Sequence, residues 1–280
     1  MIDLKFNSSA DLKKEGKSFY WASFFLPKMS KKNAGILYSI CRYFDDIADK
    51  NSEDKTTYLK KSINEIKNNQ NNKVNLFLQK NKINNLIFID LIEGLILDQR
   101  QIRIQNEEEL IKYSYHVAGT VGLMMSKIIG VKHEKAAQSA IDLGIAMQLT
   151  NIARDVVEDS SRNRKYIDHD FIKIKETLGV AELFYKSSFK SIKEIPLVNR
   201  FAILVARRVY REIGNNILRK KNLENYNKSG KIFVNKIGKI KQTILSIFDL
   251  FLLIFSKSDI HLTNEEHMEI GKEINLNERF

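Results

Sequence analysis

The stretch "YSICRYFDDIADK", Tyr38 to Lys50, places Asp45, Asp46 and Asp49 within one helical turn of each other, and Arg42 one turn earlier. The surrounding pattern is apolar and helical, and like charges at i,i+4 oppose a helix by a few tenths of a kcal/mol per pair. Three crowded carboxylates therefore call for a cation. If residues 30–50 form a helix, Gly35, Tyr38, Arg42, Asp45 and Asp49 share one face at spacings of three and four, with Asp46 at its border.

A second stretch repeats the device. In "GIAMQLTNIARDVVEDSSRNRKY", Gly144, Gln148, Asn151, Asp155 and Asp159 line up in the same way. Each face runs from small or apolar residues, through amides or aromatics, to carboxylates at its C-terminal end. Two such helices packed together would form a tunnel with acids at its mouth. A single DxxxD on a helix is ordinarily a solvated face, so the signal is the recurrence, with Arg or Asn/Gln on each face. Hard oxygen ligands without His or Cys suit Mg²⁺, which keeps several waters and shares its shell with substrate phosphates. Arg42, Arg154 and Arg164 could hold the remaining phosphate oxygens in forked geometry.

A third segment, "YSYHVAGTVGLMMSKIIG", puts Tyr113, Val117, Val121 and Met124 on one face, with Ala118, Gly119 and Gly122 permitting close helix approach or a kink. This face reads either as core packing or as a tunnel wall carrying a tyrosine near the reacting carbons.

Composition bounds the rest. Two prolines, twelve glycines and a 43% apolar content in 280 residues favour long helices around a sizeable core, so the chain reads as all-α, residues 1–280 forming one helical domain. Helices are expected over 9–24, 30–50, 55–68, 83–101, 107–129, 133–159, 178–191, 197–219 and 230–257. The Asn- and Lys-rich stretches 49–75 and 219–231 read as helix ends and surface connections. One cysteine and five scattered histidines give neither a disulfide framework nor zinc-ligand spacing. The polar N-terminus does not read as a signal peptide, and no run reaches the roughly 18 apolar residues of a membrane span. A cytoplasmic setting is expected, with peripheral contact on an inner membrane face as an option. The excess of 46 Lys and Arg over 34 Asp and Glu suggests an anionic partner. No zinc finger, RNP-like motif or compact basic arm supports nucleic acid, and no obligate protein partner is evident.

These residues resemble the squalene and phytoene synthases, which join two isoprenyl diphosphates head to head. The resemblance runs through "GKSFYWASFFLP", "CRYFDDIAD", "YSYHVAGTVG", "QLTNIARDVVED", "RNRKYI" and "VARRVYREIG". It implies an all-α isoprenoid synthase fold in which two facing aspartate-rich helices hold about three Mg²⁺, with Mn²⁺ as a substitute, and two diphosphates. It assigns Asp45, Asp46, Asp49, Asp155 and Asp159 to the metal, with Asn151 and Gln148 beside them. Arg42, Arg154, Arg164, Tyr166 and Tyr210 would contact diphosphate, Ser18 and Phe19 would line the first substrate's head, and Tyr113 would be the catalytic tyrosine. Tyr38, Val117 and Gly144 belong to the substrate wall. Two departures stand out: Ile167-Asp168 where the family commonly has Leu/Ile-Pro, and Lys231 where it often has Arg. The wording is closest to bacterial phytoene synthases, which implies geranylgeranyl diphosphate as substrate and no NADPH. A C30 synthase using farnesyl diphosphate is the alternative, and a non-catalytic scaffold a more distant one. Ser23 and Gly35, the latter about 15 Å below Asp45 at 1.5 Å per residue, would leave room for C20 tails.

Overall fold

The computed structural model describes residues 13, 16–49, 54–99, 103–256 and 265–280. Among them the chain is helical, its one β feature being an isolated bridge between Arg103 and Lys165. The elements are α1 (Lys17–Ser23), α2 (Lys28–Asp49), α3 (Lys55–Lys67), α4 (Lys73–Lys80), α5 (Asn85–Leu97) and α6 (Glu107–Ser114). A π turn (Tyr115–Gly119) leads into α7 (Thr120–Ile128), followed by α8 (Glu134–Ser161), α9 (Phe171–Ser191), α10 (Leu197–Leu218), α11 (Leu223–Lys228), α12 (Lys236–Phe255) and α13 (Glu265–Gly271). The expected helix over 9–24 is described in only part of its length, and residue 50 of the second lies outside the described residues.

Asparagine explains several differences from the expected boundaries. An Asn side chain accepts a backbone N–H at the start of α4 (Asn72), α5 (Asn84), α6 (Asn106), α11 (Asn222) and α12 (Asn235). Such caps satisfy donors that the first helical turn leaves unpaired, typically for about 1 kcal/mol each. Stretches that look like connections by composition therefore contain the starts of helices, and α4 is one that periodicity alone did not show.

The long α8 is the centre of the packing. It lies along α9 and α10 on one side and against α7 and the π turn on the other, while α2 crosses α5 and α7. A continuous apolar core links residues from Ala22 to Leu276. Two glycines set how closely α8 meets the π-turn layer. A Cβ on Gly144 would sit 2.3 Å from the Ala118 carbonyl oxygen, and one on Gly122 would sit 2.1 Å from that of Ala140. Backbone thus meets backbone from both directions. The expected continuous helix over 107–129 is interrupted here by the π turn, which inserts extra residues into one turn and shifts the register of everything after it.

The described C-terminal residues pack back onto this frame, beyond the last helix expected from periodicity. Arg279 donates through Nε and Nη2 to Asp90, both at 3.0 Å, and Tyr115 donates its hydroxyl to the same carboxylate at 2.7 Å. His267 Nδ1 lies 2.5 Å from the fully buried Asp142. A buried carboxylate is tolerated when a charged or hydrogen-bonded partner meets it, and removing that partner is costly.

Gly144→Ala is expected to destabilise the protein by about 1–3 kcal/mol, because the methyl group has only backbone to displace. Chemical denaturation of the two proteins measures the difference. A loss below a few tenths of a kcal/mol would mean that α8 and the π turn are free to separate.

Candidate active site

A cavity of about 860 Å³ runs between α1, α2, the π turn, α7, α8 and α10. Along α2 its wall is Ala34, Leu37, Tyr38, Cys41, Arg42 and Asp45. Along α8 it is Ala136, Ser139, Ala140, Leu143, Gly144, Met147, Gln148 and Asn151. Both walls pass from apolar or small side chains to polar ones toward the C-terminal ends of their helices. Ser18, Phe19, Val117, Arg154, Tyr210 and Lys231 also line it. Phe19 leans on Tyr210, with ring centroids 4.9 Å apart.

Cations crosslink the acids at this end. Arg42 bridges Asp45 at 2.7 Å and Asp46 at 2.8 Å. Arg164 pairs with Asp49 and, at 3.2 Å, with Asp98, so it ties α2 to the end of α5. Arg154 forks onto Asp155, with Nε 2.8 Å from Oδ1. Lys231 reaches Glu158 at 2.6 Å and Asp155 at 3.4 Å. Tyr226 donates its hydroxyl to the Ala153 and Arg154 carbonyls beneath them. Burial, partly offset by Arg42, raises the Asp45 carboxyl to about 6. Burial and the neighbouring Asp155 raise that of Asp159 to about 7.

Asp98 is the residue that pattern reading missed. It is buried at the end of α5 and lines the cavity. It accepts hydrogen bonds from Tyr166 at 2.5 Å and Tyr113 at 3.2 Å, and the two phenol rings stack at 4.9 Å. Burial, then the Asp98 charge, holds the Tyr113 hydroxyl well above its ordinary value, so it stays protonated. In sequence Asp98 looks like an ordinary polar stop after an apolar helix. Its only signal is that the expected helix runs past it to 101, which leaves a lone acid on an apolar face.

The other expected residues fall into two groups. Asp45, Tyr113, Ser18, Phe19, Tyr38, Arg42, Val117, Gly144, Gln148, Asn151, Arg154, Tyr210 and Lys231 stand on the cavity wall. Asp46, Asp49, Asp155, Arg164 and Tyr166 reach it through the pairs above. Asp159 lies in the field of Asp155 and Arg164. Arg164 and the Ile167-Asp168 departure border a smaller pocket, with Arg103, Lys165 and His169.

Two expectations of the wall need correction. Met124 is wholly buried away from the cavity, and Met125 takes its place. The π turn holds Tyr113, Val117, Val121 and Met125 in line at steps of four, where an unbroken α-helix would have brought 124 round. Gly35 is buried too, but the wall at that level is Ala34 and Leu37, because a 100° turn per residue puts position 35 on the shoulder of the face. Ser23 does line the cavity.

The donor set suits a hard divalent cation. Its oxygens come from carboxylates and an amide, and the Asn151 Oδ1 atom is buried without a hydrogen-bond partner. An orphaned carbonyl-type oxygen beside raised carboxyls has unused capacity for a cation. Among the described residues no three acidic, histidine or thiol groups converge on one point. The guanidiniums occupy carboxylate oxygens, and a cation would enter by exchanging partners with them.

Comparisons with known proteins place the chain in a family. The family model described as squalene/phytoene synthase matches residues 12–173. The chain belongs to the squalene/phytoene synthase family. It is similar to the 15-cis-phytoene synthase of Enterobacter agglomerans, 29% identical over 246 residues, covering 72% of this chain and 82% of that one. It is 36% identical over 170 residues to the 15-cis-phytoene synthase of Paracoccus sp., covering 54% and 55%. The phytoene synthase of Pseudescherichia vulneris is 35% identical over 147 residues, covering 45% and 48%. The chain thus spans about half the length of the latter two. A dehydrosqualene synthase solved in complex with ligand superposes with a TM-score of 0.76 at 27% identity, covering 88% of this chain and 95% of that one. The fold is therefore the all-α one expected.

Above pH 7 the folded chain holds Asp159 charged at a cost. Between about 4, the ordinary value of an unfolded aspartate, and about 7 the folded chain keeps a proton that the unfolded chain gives up. Stability then falls as pH rises through this window. Asp159→Asn should raise the melting temperature of the metal-free protein by a few degrees at pH 8. The gain should shrink steadily toward pH 5. Thermal unfolding of both proteins across that range tests it, and a gain independent of pH would remove the buried charge as its cause.

Proposed function

We propose that this chain is a phytoene synthase, which joins two geranylgeranyl diphosphates head to head. The observation that carries the reading is the cavity itself: an apolar space with two acid-rich helices at its mouth, guanidiniums among the acids and an unpaired amide oxygen. That end fits charged diphosphates, and the rest fits hydrocarbon.

In the proposed reaction the first substrate loses diphosphate to give an allylic cation, which the C2=C3 double bond of the second captures. Proton loss closes the cyclopropane of prephytoene diphosphate. A second ionisation, rearrangement and proton loss give phytoene, without an added hydride. Asp45, Asp46, Asp49, Asp155, Asp159 and Asn151 would hold about three Mg²⁺, or Mn²⁺, which supply the Lewis-acid pull on the departing diphosphates. Arg42, Arg154 and Arg164 would turn from the carboxylates to the diphosphate oxygens, with Lys231 as a point charge and Tyr210 beside Arg154. Tyr113, protonated and hydrogen-bonded to Asp98, would face the cationic carbons. Its oxygen could take a proton from the substrate while passing its own to Asp98. The apolar wall keeps water from quenching the cations.

The likeness to a dehydrosqualene synthase keeps a second reading in play, a C30 synthase acting on farnesyl diphosphate. Incubation of the purified protein and Mg²⁺ with C15 and C20 diphosphates separately, with and without NADPH, tests both. Phytoene from C20 without NADPH supports the first reading. Hydrocarbon from C15 alone overturns it in favour of the second, and no hydrocarbon from either overturns both.

Asp45→Asn and Asp155→Asn should each lower turnover about a hundredfold or more, since leaving-group stabilisation of this kind is worth several kcal/mol. Circular dichroism should show the helices intact. A near-normal rate at saturating Mg²⁺ would detach that residue from the metal. The far end of the cavity should set chain length. Ser139, which donates to Ser191 at 2.7 Å, lines that end. Ser139→Phe removes room for several methylenes at about 0.8 kcal/mol each. C20 turnover should fall at least about tenfold more than C15 turnover; equal losses would place the chain terminus elsewhere.

A further inference from the structure

Helix α12 is inside out. The side it turns to the protein carries Gln242, Ser246 and Asp249 beside Leu253, all buried. Asp249 is gripped by Arg208, with Nε and Nη2 at 2.5 and 2.6 Å, and Thr243 accepts from Trp21 Nε1 at 3.0 Å. The side it turns outward carries Ile237 (78% exposed), Ile244 (51%), Phe248 (60%), Phe251 (54%), Leu252 (61%) and Phe255 (85%). A helix in contact with water shows the reverse polarity. A contiguous apolar face of this size marks an interaction site rather than ordinary surface.

We propose that this face seats the protein on an anionic lipid surface. Three observations favour lipid as the occupant. From Ile244 to Phe255 every exposed side chain of the helix is Ile, Phe or Leu, which suits a fluid apolar medium better than a partner needing fixed complementary contacts. The first turns carry the exposed Lys236 and Lys241, placed to reach headgroups while the remainder of the helix sinks between acyl chains, and the chain as a whole carries +12 charges. The same helix also flanks the cavity: Lys239 lines it, and Leu250 and Leu253 pack with Leu26, Ile192, Ile195 and Ile203 around its far end. At 20 residues, about 30 Å, α12 would lie in the interface plane. No helix among the described residues is long and apolar enough to cross a membrane.

The test is flotation of the full chain with vesicles of phosphatidylcholine alone, and of equal parts phosphatidylcholine and phosphatidylglycerol. The protein should partition at least tenfold more strongly onto the mixed vesicles. Ile244→Glu/Phe248→Glu/Phe251→Glu should lose at least tenfold in that partitioning with an unchanged melting temperature. Lys236→Glu/Lys241→Glu should lose the preference for phosphatidylglycerol, and it remains the test if the triple variant does not fold. Undiminished flotation of the triple variant overturns the proposal. So does a chain that ignores both vesicles and forms a concentration-dependent dimer that the triple variant abolishes, since the face would then belong to a second copy. None of these readouts depends on which diphosphate the cavity takes.

Discussion

Carboxylates that outnumber their cations sit at one end of an apolar cavity, and the rest of the site follows from that imbalance. Asp45, Asp46, Asp49, Asp98, Asp155, Glu158 and Asp159 share this end with Arg42, Arg154, Arg162, Arg164 and Lys231. Among these grouped side chains seven acids face five cations, inside a chain whose overall charge is +12. Burial first, and then the neighbouring carboxylates, raise the carboxyls of Asp45 and Asp159. On the proposed reading, divalent cations would offset the excess of acids and diphosphates would take over the guanidiniums, so the ion pairs occupy the places of both ligands. Forked Arg suits that exchange, because its geometry matches carboxylate and diphosphate equally well.

Holding these charges in place requires a rigid frame, and glycine provides it at one level. Because Gly122 and Gly144 let backbone approach backbone, α8 and the π-turn layer sit close enough for both to wall one cavity. The π turn then presents Val117, Val121 and Met125 in line below Tyr113. It also leaves His116 Nδ1 2.9 Å from the Asp90 carbonyl oxygen, while Tyr115 holds the Asp90 side chain. The buried Asp90 and Asp142 are met by Arg279 and His267, so the C-terminal residues reinforce the layer that carries Tyr113.

Much of this was legible in the sequence because its physics is local. Helical periodicity alone aligns Tyr38, Arg42 and Asp45, or Gln148 and Asn151, and the repetition of acid-ended faces pointed to a shared mouth. What was not legible depends on contacts between distant segments. Asp98 acquires its role only when Tyr113 and Tyr166, 15 and 68 positions away, converge on it. Met125 replaces Met124 because a π turn changes the period, and no residue type announces one. Gly35 and Ala34 stand one 100° step apart, and the packing of α2 against α5 and α7 centres the face so that Ala34 meets the cavity and Gly35 falls on its shoulder. The helix α4 was hidden because Asn serves both as a loop residue and as a cap.

Helix α12 shows the limit of amphipathic reasoning most clearly. Its sequence separates polar from apolar sides well enough, and the usual inference turns the apolar side inward. Here one ion pair, with its carboxylate buried, reverses it. Arg208 projects from α10 into a layer where an unpartnered guanidinium would be costly, and Asp249 meets it with two charge-assisted hydrogen bonds. Once Asp249 faces inward, a helix with a period of 3.6 residues must carry Gln242 and Ser246 in with it and turn Ile244, Phe248 and Phe251 out. Polarity along a chain therefore tells how many faces a helix has. Which face meets the protein is decided by the neighbour that supplies the opposite charge, and the apolar face left outside is then free to meet a medium other than water.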